Sequence, residues 1–273
     1  MVYIVLSLLS SAMLILFSKD ITYNMIKRTG PLILNYKGRR IPTALGIILL
    51  PATSLSISFL YFFPTTNKTH LTAFLLLLYG MAFIGLTDDL LGERQVKGIK
   101  AHLIQLMSGH MTTGAFKALL GIGIALLACL SIYSDIYALA LNVFIIALSA
   151  NFMNLFDLRP GRCLKVFWLM VAIAVVFAPG HIGSILFILP LIIASMVYFP
   201  LDASEAGMLG DTGANMLGAA VGWAIVVSWP QSYKYIYLMG LVMAHLLAEH
   251  YSFSALIEHS RVLSMIDRMG RER

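Results

Sequence analysis

The sequence predicts an all-α polytopic membrane protein, and three observations carry that reading. Hydrophobic residues fill 59% of the 273 positions and charged residues only 12%, and mean hydropathy is +0.86. A soluble core cannot bury that much apolar surface, so the bilayer must act as the solvent. The third observation is that the apolar residues form runs separated by short segments that carry most of the Lys and Arg.

Nine apolar runs are expected to span: 2–18, 43–63, 71–87, 113–132, 136–154, 164–178, 182–199, 208–228 and 235–248. A helix needs about 20 residues to cross a bilayer, so nine spans use most of the chain as one unit, 1–251. The first run has no positive charge before it, whereas Lys19, Lys27 and Arg28 follow it. It therefore reads as a retained span with its N-terminus outside, not as a cleaved leader. The inside segments are then 19–42, 88–102, 157–161, 201–207 and the tail after 249. Lys68 and Lys234 fall on outer loops and Lys117 near a span start, while the other 16 Lys and Arg lie on these segments or slightly beyond position 161, which sets the orientation by the positive-inside rule. Pro51 and Pro190 lie inside runs and are read as kinks tolerated by neighbouring helices. Gly218 and Gly222, four apart, are read as a close helix contact.

The segment 252–273 mixes Phe253, Leu256, Ile257, Val262, Leu263, Met265 and Ile266 with Glu258, Arg261, Asp267, Arg268 and Arg271. That is an amphipathic helix too charged to span, expected to lie on the inner, cytoplasmic membrane surface.

The net charge of +6 does not indicate nucleic acid, because the basic residues are separated by apolar spans and form no groove for a phosphate backbone. Only Cys129 and Cys163 occur, which rules out a disulfide framework or a zinc cluster.

Acidic residues point to the site. All but Asp135 fall on the inner side or at the inner ends of spans. Asp88 and Asp89 end the third span; neighbours on a helix point about 100° apart, so the two carboxylates can serve different partners. Asn151, Asn154 and Asp157 are spaced by three, so they drift by roughly 60° per step and share one face. Asp211 opens a span between Gly210 and Gly213. Free backbone N–H groups and the helix dipole there favour phosphate, and the carboxylate favours a hard cation. Lys37, Arg39, Arg40, Lys97, Lys100, Arg159 and Arg162 lie on the inner segments. Acids for a metal and bases for phosphate are what phosphoryl transfer requires.

These fragments, in this order, resemble the polyprenyl-phosphate N-acetylhexosamine-1-phosphate transferase superfamily, which includes the phospho-N-acetylmuramoyl-pentapeptide and undecaprenyl-phosphate GlcNAc-1-phosphate transferases. The resemblance runs from position 38 to about 215. It rests on Arg40-Ile41-Pro42-Thr43-Ala44-Leu45-Gly46, on Asp88-Asp89, on Asn151 to Asp157, and on Leu209-Gly210-Asp211-Thr212-Gly213. The resemblance implies a divergent, short bacterial plasma-membrane enzyme. It would move a sugar-1-phosphate from a UDP-sugar to a polyprenyl phosphate at the cytoplasmic face, with Mg²⁺ (or Mn²⁺) and release of UMP. On the same resemblance Asp88 takes a proton from the lipid phosphate, and Asp211 binds the metal with help from Asp89. Asn151, Asn154 and Asp157 bind the nucleotide side, Lys100 contacts phosphate, and a homodimer is compatible.

The chain departs from the family after Asp157. A glycine, an aspartate and a further glycine are usual there, but this chain has Leu158-Arg159-Pro160-Gly161-Arg162. One acid is lost and two arginines are gained, which suggests a more anionic or differently held donor. The histidine-rich inner loop of the family has no match in His245, Glu249 and His250. The alternative reading is a catalytically silent relative acting as a membrane scaffold or lipid-linked sugar binder.

Overall fold

The structure is a computed structural model, and it describes residues 2–64, 66–92, 105, 108–178 and 186–271. Among the described residues it contains eleven α-helices and one two-stranded hairpin. The helices are α1 (Val2–Thr29), α2 (Leu49–Tyr61), α3 (Lys68–Leu91), α4 (Thr113–Leu130), α5 (Ile136–Asn154) and α6 (Arg162–Val176). They continue with α7 (Leu189–Ala203), α8 (Gly210–Ser228), α9 (Gln231–His250), α10 (Phe253–His259) and α11 (Arg261–Arg268). The described part of each of the nine apolar runs lies mainly on one of α1 to α9, with 43–48 outside α2 and 182–185 outside the described residues. Five helices are long and apolar enough to cross a membrane by length and composition: α1, α3, α4, α5 and α7 with the turn before it. The protein is an all-α membrane protein.

The bundle is built around α8, where every residue but Asp211 and Val227 is buried. Wrapped by α3, α5, α6 and a short 3-10 turn (Leu45–Ile48), this helix meets protein on nearly all sides, so it tolerates Asp211, Thr212 and Asn215. The expected close contact at Gly218 and Gly222 is present. A Cβ at Gly218 would strike the backbone of Ser149 and Ala150, and one at Gly222 would meet Ile146 and Ser149. Small residues let the backbones of α5 and α8 approach, which is how helices gain packing energy in lipid.

Four local features differ from the sequence reading. Helix α1 runs eleven residues past position 18, because nothing in 19–29 breaks a helix before Gly30-Pro31. Within the segment that follows, Leu32–Leu34 pairs antiparallel with Arg40–Pro42. Asn35 accepts at Oδ1 from the N–H groups of Lys37 and Arg39, both at 2.9 Å, and Gly38 takes φ +74°. An Asx turn of this kind closes a hairpin from polar residues that read only as loop. Pro51 and Pro190 do not kink spans. Each stands in the first turn of its helix, α2 or α7, where no N–H is needed; the proline well inside a helix is Pro200.

The tail is two short helices rather than one. They break at Ser260, whose hydroxyl accepts from Leu263 N–H.

Candidate active site

Four helix ends converge at one end of the bundle. Asp88 and Asp89 stand in the last turn of α3, Lys117 in the first turns of α4, Asn154 at the end of α5, and Asp211 and Asn215 at the start of α8. Lys117 Nζ lies 3.4 Å from Asp88 Oδ2 and forms an ion pair with Asp211 Oδ2. Asn154 Nδ2 donates to Asn215 Oδ1 at 2.8 Å and approaches Asp211 Oδ2 at 3.4 Å. The aspartate pair, the asparagine motif and the glycine-aspartate motif, remote in sequence, thus form one cluster.

The start of α8 departs from expectation. Its N–H groups are not free for phosphate, because the protein's own carboxylates take them. Asp157 Oδ2 accepts from Gly210 N–H at 2.9 Å. Asp89 Oδ1 accepts from Asp211 N–H at 3.1 Å and from the Thr43 hydroxyl at 3.2 Å. Asp89 Oδ2 accepts from Thr212 N–H at 2.9 Å and from its hydroxyl at 2.6 Å. Two carboxylates at the positive end of a helix dipole are favourably placed. Gly210 makes the entry turn: its φ is +73°, and a Cβ there would collide with Asp89 Oδ2 and Ala44 N. The Pro42 to Gly46 segment is laced to the same place by Met208 N–H to Pro42 O (2.8 Å) and Gly46 N–H to Leu209 O (2.8 Å).

An open cleft of about 290 Å³, counting its solvent mouth, adjoins the cluster between the hairpin and the turn after α5; its walls include Asn35, Tyr36, Asp157, Arg159, Asp202 and Glu205. Arg159 stacks its guanidinium 4.2 Å from the centre of the Tyr36 ring and pairs with Glu258 at 2.7 Å. Asp202, buried at the end of α7, accepts from Gly161 N–H at 2.7 Å and so fixes the turn. Burial, then the charges of Asp202, Asp89 and Asp211, push the Asp157 carboxyl well above the usual carboxylate range, against the Gly210 N–H. At the mouth, burial works to raise Glu205, but Lys37 and Tyr36 outweigh it and hold its carboxyl below that range.

Other residues named from sequence lie elsewhere. Arg162 is buried and committed to Asp267 through Nε and Nη2, both at 2.8 Å, and to Ser254 through Nη1, so it is not offered to a donor phosphate. Asn151 is exposed on α5, one turn before Asn154, and Arg40 is exposed at the start of its strand. Lys97 and Lys100 lie outside the described residues. Sequence reasoning passed over two members. Lys117 had a signal, a lone cation at the end of an otherwise apolar span. Asp202, behind Pro200 in the 201–207 segment, had only its place at the end of a run.

Among the described residues no group of three or more His, Cys, Asp or Glu is placed to hold a metal ion, so a hard divalent cation could be held here only with an amide oxygen beside two carboxylates. Asp88 and Asp211 supply carboxylate oxygens, and the buried Asn154 Oδ1 beside them has no hydrogen-bond partner. A family model described as Glycosyl transferase family 4 matches residues 71–229, a stretch that holds every member of the cluster. No curated protein matches the chain. Because that match covers more than half of the chain, the protein belongs to glycosyl transferase family 4, the polyprenyl-phosphate hexosamine-1-phosphate transferases.

Proposed function

We propose that the protein transfers a sugar-1-phosphate from a UDP-sugar to a polyprenyl phosphate at the cytoplasmic face of a bacterial plasma membrane, releasing UMP. The observation that carries this reading is the meeting of Asp88, Lys117 and Asp211 at one end of the bundle. Family membership supports the transferase class, and the bias of Lys and Arg toward the same segments supports the orientation.

In this reading an oxygen of the lipid phosphate attacks the phosphorus that bears the sugar. The bond to the UMP oxygen breaks, and the products are a lipid-diphosphate sugar and UMP. Asp88, which pairs with Lys117, accepts the proton of the lipid phosphate. Asp211, Asp88 and Asn154 Oδ1 would hold Mg²⁺, which supplies charge neutralisation for the diphosphate when bound. Lys117 supplies a further positive charge to the phosphoryl oxygens. Asp89 orients Asp211 by fixing the backbone of α8. The nucleotide end lies in the cleft, where Asn35 Nδ2 is buried and unpartnered and the Tyr36 and Arg159 planes stand stacked.

The test is to incubate purified protein and Mg²⁺ with undecaprenyl phosphate and a panel of UDP-sugars and to measure UMP. One donor is expected to yield UMP and a lipid-linked product, with both abolished in Asp211→Asn. Lipid binding with no UMP from any donor would point instead to a silent scaffold.

A further inference from the structure

The tail grips the turn after α5 and the start of α6 at five points. Phe253 sets its ring 5.3 Å from that of Phe156, and Glu258 pairs with Arg159 at 2.7 Å. Arg271 Nε donates to Pro160 O at 2.8 Å, and Asp267 takes the two-pronged bond from Arg162. Lys165 Nζ donates to the carbonyls of Ile266, Asp267 and Met269 at 3.1, 2.5 and 3.1 Å, closing the C-terminus of α11. Arg271 also reaches Asp267 at 2.7 Å.

The burial along α11 is inverted. Its one buried side chain is Asp267, whereas Val262, Leu263, Met265 and Ile266 are exposed. The Arg162 and Asp267 side chains are only 3% and 8% exposed. An ion pair this buried contributes little net stability, because desolvation offsets the attraction. What it does supply is geometry, since a fork–fork pair admits one arrangement. The turn it fixes is the one in which Asp157 meets Gly210 N–H and Gly161 N–H meets Asp202, and which forms one wall of the cleft.

We propose that the tail is a strap and that Asp267, acting through Arg162, is a positioning residue for the nucleotide end of the site. The strap holds the turn 157–161 so that Asp157 and Arg159 face the cleft, in a chain whose turn lacks the family's second aspartate. This rests on the transferase reading above.

The experiment uses the full-length protein in detergent with UDP as the probe, read by calorimetry, beside the KM and kcat of UMP release and hydrogen exchange of the peptide covering 157–161. Asp267→Asn should weaken UDP affinity and raise the donor KM by about tenfold, as expected when a binding wall shifts by a fraction of an ångström. The kcat should change less, and amides of the turn should exchange faster while those of α8 stay protected. Asp267→Glu should restore most of the affinity. Glu258→Gln, which breaks only the tail's exposed pair with Arg159, should weaken UDP binding severalfold in a chain that still folds, and it decides the matter if Asp267→Asn does not fold. Unchanged UDP affinity and turn protection in both variants, or in Glu258→Gln alone if Asp267→Asn does not fold, would overturn the strap. A wild-type chain that neither binds UDP nor releases UMP would instead overturn the transferase reading, and the role of the strap with it.

Discussion

Asp89 holds Thr212 twice, accepting its backbone N–H at 2.9 Å and its hydroxyl at 2.6 Å through one carboxylate oxygen. The other oxygen takes Asp211 N–H and the Thr43 hydroxyl. Asp89 therefore works as the cap of α8 and as the clasp between that helix and the segment between α1 and α2, while its neighbour Asp88 faces Lys117. The two aspartates should fail differently. Asp89→Asn turns two acceptors into one acceptor and one donor, strands N–H groups at the α8 start, and should lower stability by about 1–3 kcal/mol. Asp88→Asn should leave the unfolding transition in detergent nearly unchanged while abolishing UMP release. Equal unfolding midpoints for the two variants would show that Asp89 is not the clasp.

Among the described residues Lys117 pairs with both Asp88 and Asp211. Lys117→Met keeps the length and removes the charge, so phosphoryl transfer should slow by about 10²-fold or more, the usual cost of losing a preorganised charge at such a centre. Lys117→Arg should recover little, because a planar fork does not replace a compact ammonium between two carboxylates. Steady-state UMP release by the two variants measures this, and near-normal turnover in Lys117→Met would remove the residue from the mechanism.

The fold class was legible because hydropathy alone dictates it: the described parts of the apolar runs are mainly helical, and Asp88 and Asp211 meet at one end of the bundle. The capping at the start of α8 was not legible. Asp89, Asp157 and Gly210 are distant in sequence, and a glycine-flanked aspartate reads the same whether its neighbouring N–H groups are free or taken. Arg162 misled for a related reason. On an inner segment a basic residue signals phosphate, and only the tail, about a hundred residues on, supplies the Asp267 that claims it. The hairpin at 32–42 was hidden because its strands are three residues long and its closure depends on the Asn35 side chain.

At the far end of α8, Lys234 donates to Val226 O at 2.5 Å and to the Tyr133 hydroxyl at 3.2 Å. The central helix therefore has carboxylates at its positive end and an ammonium at its negative end, both favourable with the dipole. Lys234→Met removes one of the two hydrogen bonds to Val226 O, which keeps the Tyr133 hydroxyl at 2.8 Å, and should lower stability by about 0.5–1.5 kcal/mol. Activity at the opposite end should stay near wild type at temperatures where the variant is folded. Thermal unfolding followed beside UMP release separates the two, and a selective loss of turnover would mean that the ends of α8 are coupled.

The tail should release only in strong acid. Burial works to raise the Asp267 carboxyl, but hydrogen bonds and charge from Arg162, with the charge of Arg271, outweigh it and hold the group below its ordinary value of 3.8. A group whose folded-state value is depressed stabilises the folded state above its unfolded value and loses that contribution as pH falls through the folded one. Docking of α11 should therefore be constant from neutral pH down to about 5, weaken toward 3.8, and fail below it. Limited proteolysis of the 252–271 segment by an acid protease across that range, with the bundle intact by far-UV circular dichroism, reads the transition. In Asp267→Asn the same segment should be cut at every pH, so a wild-type tail that is released near neutrality would contradict the buried ion pair as its fastening.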